Sequence, residues 1–258
     1  MKARAPAPVL AAALAAALLL GVGSPARAGY RIQEVDPEFP GEVTTYWFQG
    51  GKVRVDGALE GLTMIVDTKA GEGWLIDAAL KRFAGGPFDA LAAELARFEA
   101  RESGEEPADE GGDEGGDEAV APAKPHSVEI KDMGPAERLL GYETRRHRVF
   151  VDGELIEELW VAPKVDVAAE VEPAAFATAM RKLLGDGMSV GQGYEESAAY
   201  RALRAAGYPL RQVLYFVGEK STLEVSAVSV ATFPASDFAV PKGFARVGYA
   251  ELLLGEGE

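Results

Sequence analysis

The chain has 258 residues, with 41 acidic and 26 basic side chains for a formal net charge of −15, and no cysteine. That balance argues against a nucleic-acid binder, which needs a basic footprint, and against electrostatic adhesion to anionic lipid. Without cysteine there is no disulfide framework, so the core alone must hold the fold. The first 28 residues read as a secretory signal peptide. Lys2 and Arg4 precede an apolar run over 9–20, and Ala26-Arg27-Ala28 forms a small-x-small cleavage site. The run falls short of the ~20 residues that span a bilayer. The expected mature chain starts at Gly29, is periplasmic or extracellular, and has a charge of −18 once Lys2, Arg4 and Arg27 leave with the leader.

Strands are predicted at 30–35, 43–48, Lys52–Leu59, Leu62–Asp67 and 73–77. In "GGKVRVDG" (50–57), Val53 and Val55 point one way while Lys52, Arg54 and Asp56 point the other, the signature of a half-buried strand between glycine turns. Gly50-Gly51 and Gly61 mark tight connections, so the strands from 43 to 67 read as an antiparallel meander. Gly86-Pro87 opens a helix whose Phe88, Leu91, Leu95 and Phe98 share a core-facing stripe.

Composition then breaks. Nine acids and no base lie between Glu102 and Glu118, and GGDE occurs twice in succession. The stretch 102–121 has almost nothing to bury and is expected to be a disordered loop. It lacks the ligand spacing of an EF-hand.

Strands resume at 126–131, 143–151 and 154–161, the last two joined by the hairpin signal Asp152-Gly153. Two helices follow within an insertion at 173–207. The first begins at Pro173 and stops at Gly185; the second covers about 195–206 and stops at Gly207. Strands at 210–217 and 222–233 close the pattern. The expectation is an α+β fold built on one large curved antiparallel sheet, a single domain over 29–258.

Catalytic constellations are thin. Neither His126 nor His147 stands in a metal-ligand spacing, and no nucleophile elbow, Walker loop or dinucleotide fingerprint occurs. "GDGMSVGQGYEES" is glycine-rich but joins two helices and does not follow a strand, so phosphate cradling is unsupported. The expectation is a protein that is not an enzyme and uses no metal or cofactor. Arg145, Arg146 and Arg148 form a basic cluster in an acidic chain. Arg146 and Arg148 share a strand face, either paired with Glu157 or Glu158 across the hairpin or free to dock an anionic headgroup or partner.

The ordered set "GKVRVD" (51–56), "MIVD" (64–67), "GWLID" (73–77), "LGYET" (140–144), "LWVAP" (159–163) and "FAVPKGF" (238–244) resembles an exported bacterial family known only as domain of unknown function 4412. The resemblance covers roughly Tyr30 to Phe244 outside the acidic loop. The family is similar in pattern to the periplasmic lipoprotein carriers. That likeness implies an incompletely closed β-barrel wrapped around helices, with an apolar cavity for acyl chains, and carries over no catalytic residue. In such a half-barrel the face away from the helices is wet. The candidate cavity lining is Trp47, Val53, Val55, Met64, Trp74 and Trp160, although buried tryptophans mostly serve packing. Two functions follow as expectations: a non-catalytic carrier of an apolar or acylated ligand, or an envelope protein–protein interaction module with a solid core.

Overall fold

The computed structural model describes residues 28–59, 61–102, 126–185, 193–216 and 219–254. The expected signal peptide up to its last residue, nearly all of the acidic stretch and the glycine-rich 186–192 connection lie outside them. Six strands form a first antiparallel meander: β1 (Gly29–Asp36), β2 (Phe39–Gln49), β3 (Lys52–Leu59), β4 (Leu62–Asp67), β5 (Glu72–Asp77) and β6 (Arg82–Pro87). Helix α1 (Phe88–Glu102) follows directly and takes in Glu102, the first residue of the expected loop. A second antiparallel run comprises β7 (Val128–Pro135), β8 (Arg145–Val151), β9 (Glu154–Ala162), β10 (Tyr208–Phe216) and β11 (Glu219–Ala231). Helices α2 (Pro173–Leu184) and α3 (Ala198–Ala205) are inserted between β9 and β10. Pairing of β1 with β11 joins the two runs into one open sheet of 12 strands. Its far edge is β12 (Ala245–Arg246), parallel to β6, and α4 (Tyr249–Leu254) ends the described chain.

Cross-strand registers explain why the sheet has one greasy face. Val228, Ile32, Tyr46, Val55, Met64, Leu75 and Ala84 stand opposite one another in a row running from β11 to β6. A parallel row holds Val230, Tyr30, Phe48, Val53 and Val66. This inner face is closed by Phe88 and Leu91 of α1, Ala179 and Leu183 of α2, and Tyr249 and Leu252 of α4. The row ends in Gly73 of β5, where a Cβ would lie 2.7 Å from a Leu183 methyl. The glycine is what lets α2 settle onto the sheet. Val53, Val55 and Met64 are 0%, 1% and 2% exposed, so the valine side of β3 is packed core here.

The outer face differs from expectation. Trp47 and Trp74 do not share a side with Val53. They pair across to Arg54 and Ile65 and so face outward, where residues 233–244 run over them. Phe238 is buried there against Ile65 and Ile76, with Phe233, Val240 and Phe244 beside it. A segment bearing four large apolar side chains cannot stay in water when Ile65, Ile76 and two indoles need cover. Gly85 of β6 is part of the same arrangement. The Trp74 ring lies across it, 2.2 Å from where a Cβ would be. Arg54 is likewise not simply solvated. It pairs with Asp56 at 3.0 Å and donates from Nη1 to the Asp237 carbonyl at 3.1 Å.

Candidate functional site

Helix α3 is short, and one face of it decides the chemistry of the inner surface. Ser197 caps it, its hydroxyl accepting from the Tyr200 N–H at 3.1 Å. Tyr200, Leu203 and Arg204 then recur at i, i+3 and i+4, on the side turned to the sheet. Tyr200 and Leu203 pack with Tyr194 on Val149, Leu159 and Val161 of β8 and β9. Gly207 ends the helix where a Cβ would meet the Ala162 carbonyl oxygen at 2.4 Å, and the chain turns straight into Tyr208 of β10.

These elements gather a polar cluster against the apolar rows. The Tyr208 hydroxyl donates to Glu34 Oε1 of β1 at 2.7 Å, and Tyr46 of β2 also hydrogen-bonds Glu34. On β9, Glu157 Oε1 accepts from Gln212 Nε2 at 2.6 Å and from the Tyr200 hydroxyl at 3.3 Å. Its Oε2 has no hydrogen-bond partner among the described residues, although the side chain is fully buried. Arg204 sits over the Tyr208 ring at 5.9 Å.

The electrostatics follow from enclosure. Burial raises the Glu34 carboxyl above its ordinary range, against the pull of Tyr208, Arg204 and Tyr46. Burial pushes Glu157 up to about 7, with Arg204 and Tyr200 opposing. For Arg204 burial works against the charge, but Tyr200, Tyr208, Glu157 and Glu34 more than offset it and the guanidinium stays ionised. Glu34, Tyr46 and Arg204 are nonetheless only half-buried. These three still reach water, while Glu157, Tyr200 and Tyr208 beside them are buried.

The other expected residues lie elsewhere. Trp160 is on the outer face of β9, between the guanidinium groups of Arg146 on β8 and Arg211 on β10, at 5.0 and 5.3 Å from its centroid. Its indole N–H donates to Glu137 at 3.0 Å. It therefore shares neither a side nor a neighbourhood with Val53, Val55 and Met64. Trp47 has the same setting in the other half of the sheet, between Arg31 and Arg54. Arg146 and Arg148 do not stand free for an anion, because Glu158 takes both, at 2.6 and 2.5 Å. His126 closes on Asp152 at the β8–β9 hairpin, 2.7 Å away.

Reading the sequence did not single out Glu34, Glu157 or Arg204 as a site. Two local signals were present. Alternation along β9 puts Glu157 on the side of Leu159 and Val161, and helical spacing puts Arg204 on the side of Tyr200 and Leu203. A charge on an apolar face asks for a reason. Glu34 could not have been joined to them, since only the fold brings β1 beside β11 and so within reach of Tyr208 at the start of β10.

No family model matches the sequence, and no curated protein does. Among solved structures, the chain is similar to one described as the structure of PNGF-II in C2 space group, at 12% identity and a TM-score of 0.37. The match covers 88% of this chain and 33% of that one, so the chain spans about a third of that protein's length. At that score the likeness carries no argument about function.

Proposed function

We propose that the protein is a non-catalytic binder of an apolar or acylated molecule, held on the inner face of the half-barrel beside α2 and α3. One observation carries this reading. The inner apolar rows continue past the helices as half-buried Tyr30, Tyr46 and Val228, ending at Val230, which is 57% exposed. Helix α2 adds half-buried Phe176 and Met180 alongside, with Phe176 edge-on to Phe48 at 6.5 Å. Covering such surface stabilises a complex by roughly 25 cal/mol per Å² of apolar area, and an acyl chain has the shape to lie along it. The resemblance to the exported family and to lipoprotein carriers points the same way, as does the leader-like N-terminus. The packed state of Val53, Val55 and Met64 limits where a ligand lies: above the β11–β1–β2 floor, not above β3 and β4. That same solid packing is what favours the second reading, an interaction module without a ligand.

The deciding measurement is titration with the neutral fluorophore N-phenylnaphthylamine, together with native mass spectrometry of protein purified from its own source. Wild type should take up the probe and retain lipid. Val228→Asp, a change at a half-buried position, should fold and lose both. A wild type that takes up no probe removes the binding reading and leaves the interaction module.

A further inference from the structure

Among the described residues the Arg204 guanidinium makes no ion pair and no hydrogen bond; it lies over the Tyr208 ring at 5.9 Å. Its neighbours act on it from a distance: Glu34 from β1, Glu157 from β9, Tyr208 from β10, Tyr200 on its own helix and Glu195 from the turn before it. Two of these acids, Glu34 and Glu157, are themselves held toward the neutral form by burial, so they neutralise the guanidinium incompletely. An arginine that only complemented the C-terminal end of α3 would reach into solvent, as the exposed Arg201 does. Arg204 turns instead toward the inner face, where the surrounding acids favour its charge but leave its fork of hydrogen-bond donors unfilled by any described side chain.

The neighbourhood shows what would satisfy it. Tyr46 belongs to two sets at once. It stands in the apolar row between Ile32 and Val55, stacked beside Phe48 at 6.0 Å, and its hydroxyl meets Glu34 in the cluster around Arg204. The greasy floor therefore runs directly into Glu34, on which the Tyr46 and Tyr208 hydroxyls converge, with the Arg204 guanidinium over the Tyr208 ring. That is the layout for a molecule with an apolar chain and an anionic end.

We infer that Arg204 receives the anionic headgroup, a carboxylate or a phosphate, of the acyl-chain ligand whose chain lies on the β11–β1–β2 floor. This rests on the binding reading above and adds the chemical class of the ligand. A guanidinium suits both anions because its fixed fork of donors meets two oxygens at once.

The test displaces N-phenylnaphthylamine with three compounds of equal chain length: hexadecanoate, hexadecyl phosphate and hexadecanol. Wild type should bind at least one of the two anions at least about tenfold more tightly than the alcohol, the size expected for a charge-assisted hydrogen bond. The stronger anion identifies whether a fatty acid or a phospholipid-type head is the better fit. Arg204→Gln should bind all three alike, with affinity for hexadecanol unchanged, and Arg204→Lys should restore part of the preference. Equal binding of alcohol and anions by wild type overturns the headgroup assignment while leaving the binding function intact. A preference that survives in Arg204→Gln overturns it as well. Binding of none of the three removes both. Should Arg204→Gln fail to fold, the wild-type comparison and Arg204→Lys still decide.

Discussion

Glu157 and Glu158 are adjacent in β9, point to opposite faces of the sheet, and have carboxyls displaced in opposite directions. Glu157 meets Tyr200 and Gln212 on the inner side, and burial takes it up to about 7. Glu158 is buried too, which alone would raise it, but Arg146 and Arg148 outweigh that and hold it below the ordinary value of 4.5. The signs follow by linkage. The folded state prefers Glu157 protonated, so its contribution is complete below about 4.5 and is lost as pH rises through about 7. Glu157→Gln keeps an acceptor for Tyr200 and Gln212 without the charge. It should match wild type near pH 4.5 and exceed it by about 1–3 kcal/mol at pH 8, read from denaturant melts. Glu158 behaves in the reverse sense: its contribution is present above 4.5 and disappears as pH falls through its lowered folded value. Glu158→Gln should cost about 1–3 kcal/mol at neutral pH, reduced by the partial exposure of both arginines, and less in acid. Parallel pH profiles for the two variants would contradict the opposite-face assignment.

Among elements, the segment 233–244 and strand β6 are where the fold departs most from what its sequence announces. β1 to β5 were legible because alternation and glycine turns leave little choice. "RFAGGP" was not, because Gly86-Pro87 reads as the opening of a helix, whereas both residues end β6 and the helix starts at Phe88. In the folded chain Gly85 instead makes room for the Trp74 ring and pairs with it across the strands. Gly85→Ala should therefore cost about 1–3 kcal/mol, with a changed tryptophan emission, since the ring and the Gly73 carbonyl both stand in the way. Phe238→Ala should cost roughly 3 kcal/mol, as for a buried core aromatic. The apolar residues of 233–244 are spaced irregularly among prolines, so no period marks them as a cover. The side on which Trp47 lies could have been read: a two-residue Gly50-Gly51 turn sets Gln49 opposite Lys52 and thus Trp47 opposite Arg54, not Val53. The cluster around Arg204 was half legible, as a charge on an apolar helix face, and its partners were not.

At the scale of the whole molecule, Val53 lies inside a core that spans both strand runs and three helices. Val53→Asp should leave no cooperative melt by circular dichroism, because an unpaired buried charge exceeds the margin of a typical domain; a folded Val53→Asp would mean that water reaches the face of β3. The sheet order has a further consequence. The first meander is held by parts of the chain made much later: β11 zips onto β1, α2 seats on Gly73, residues 233–244 cover the outer face, and β12 with α4 closes the free side of β6. Gly29 finds its partner only at Ala231. In kinetic terms this is a clasp that shuts last. Non-local pairings of this kind slow folding, and the first half has its outer face and both its edges open until the last strands and residues 233–254 arrive. A chain stopped short of 233 would expose two indoles, the Ile65–Ile76 patch and an unpaired β6 at once, so truncation and incomplete synthesis should yield an adhesive, protease-sensitive species and not a smaller working domain.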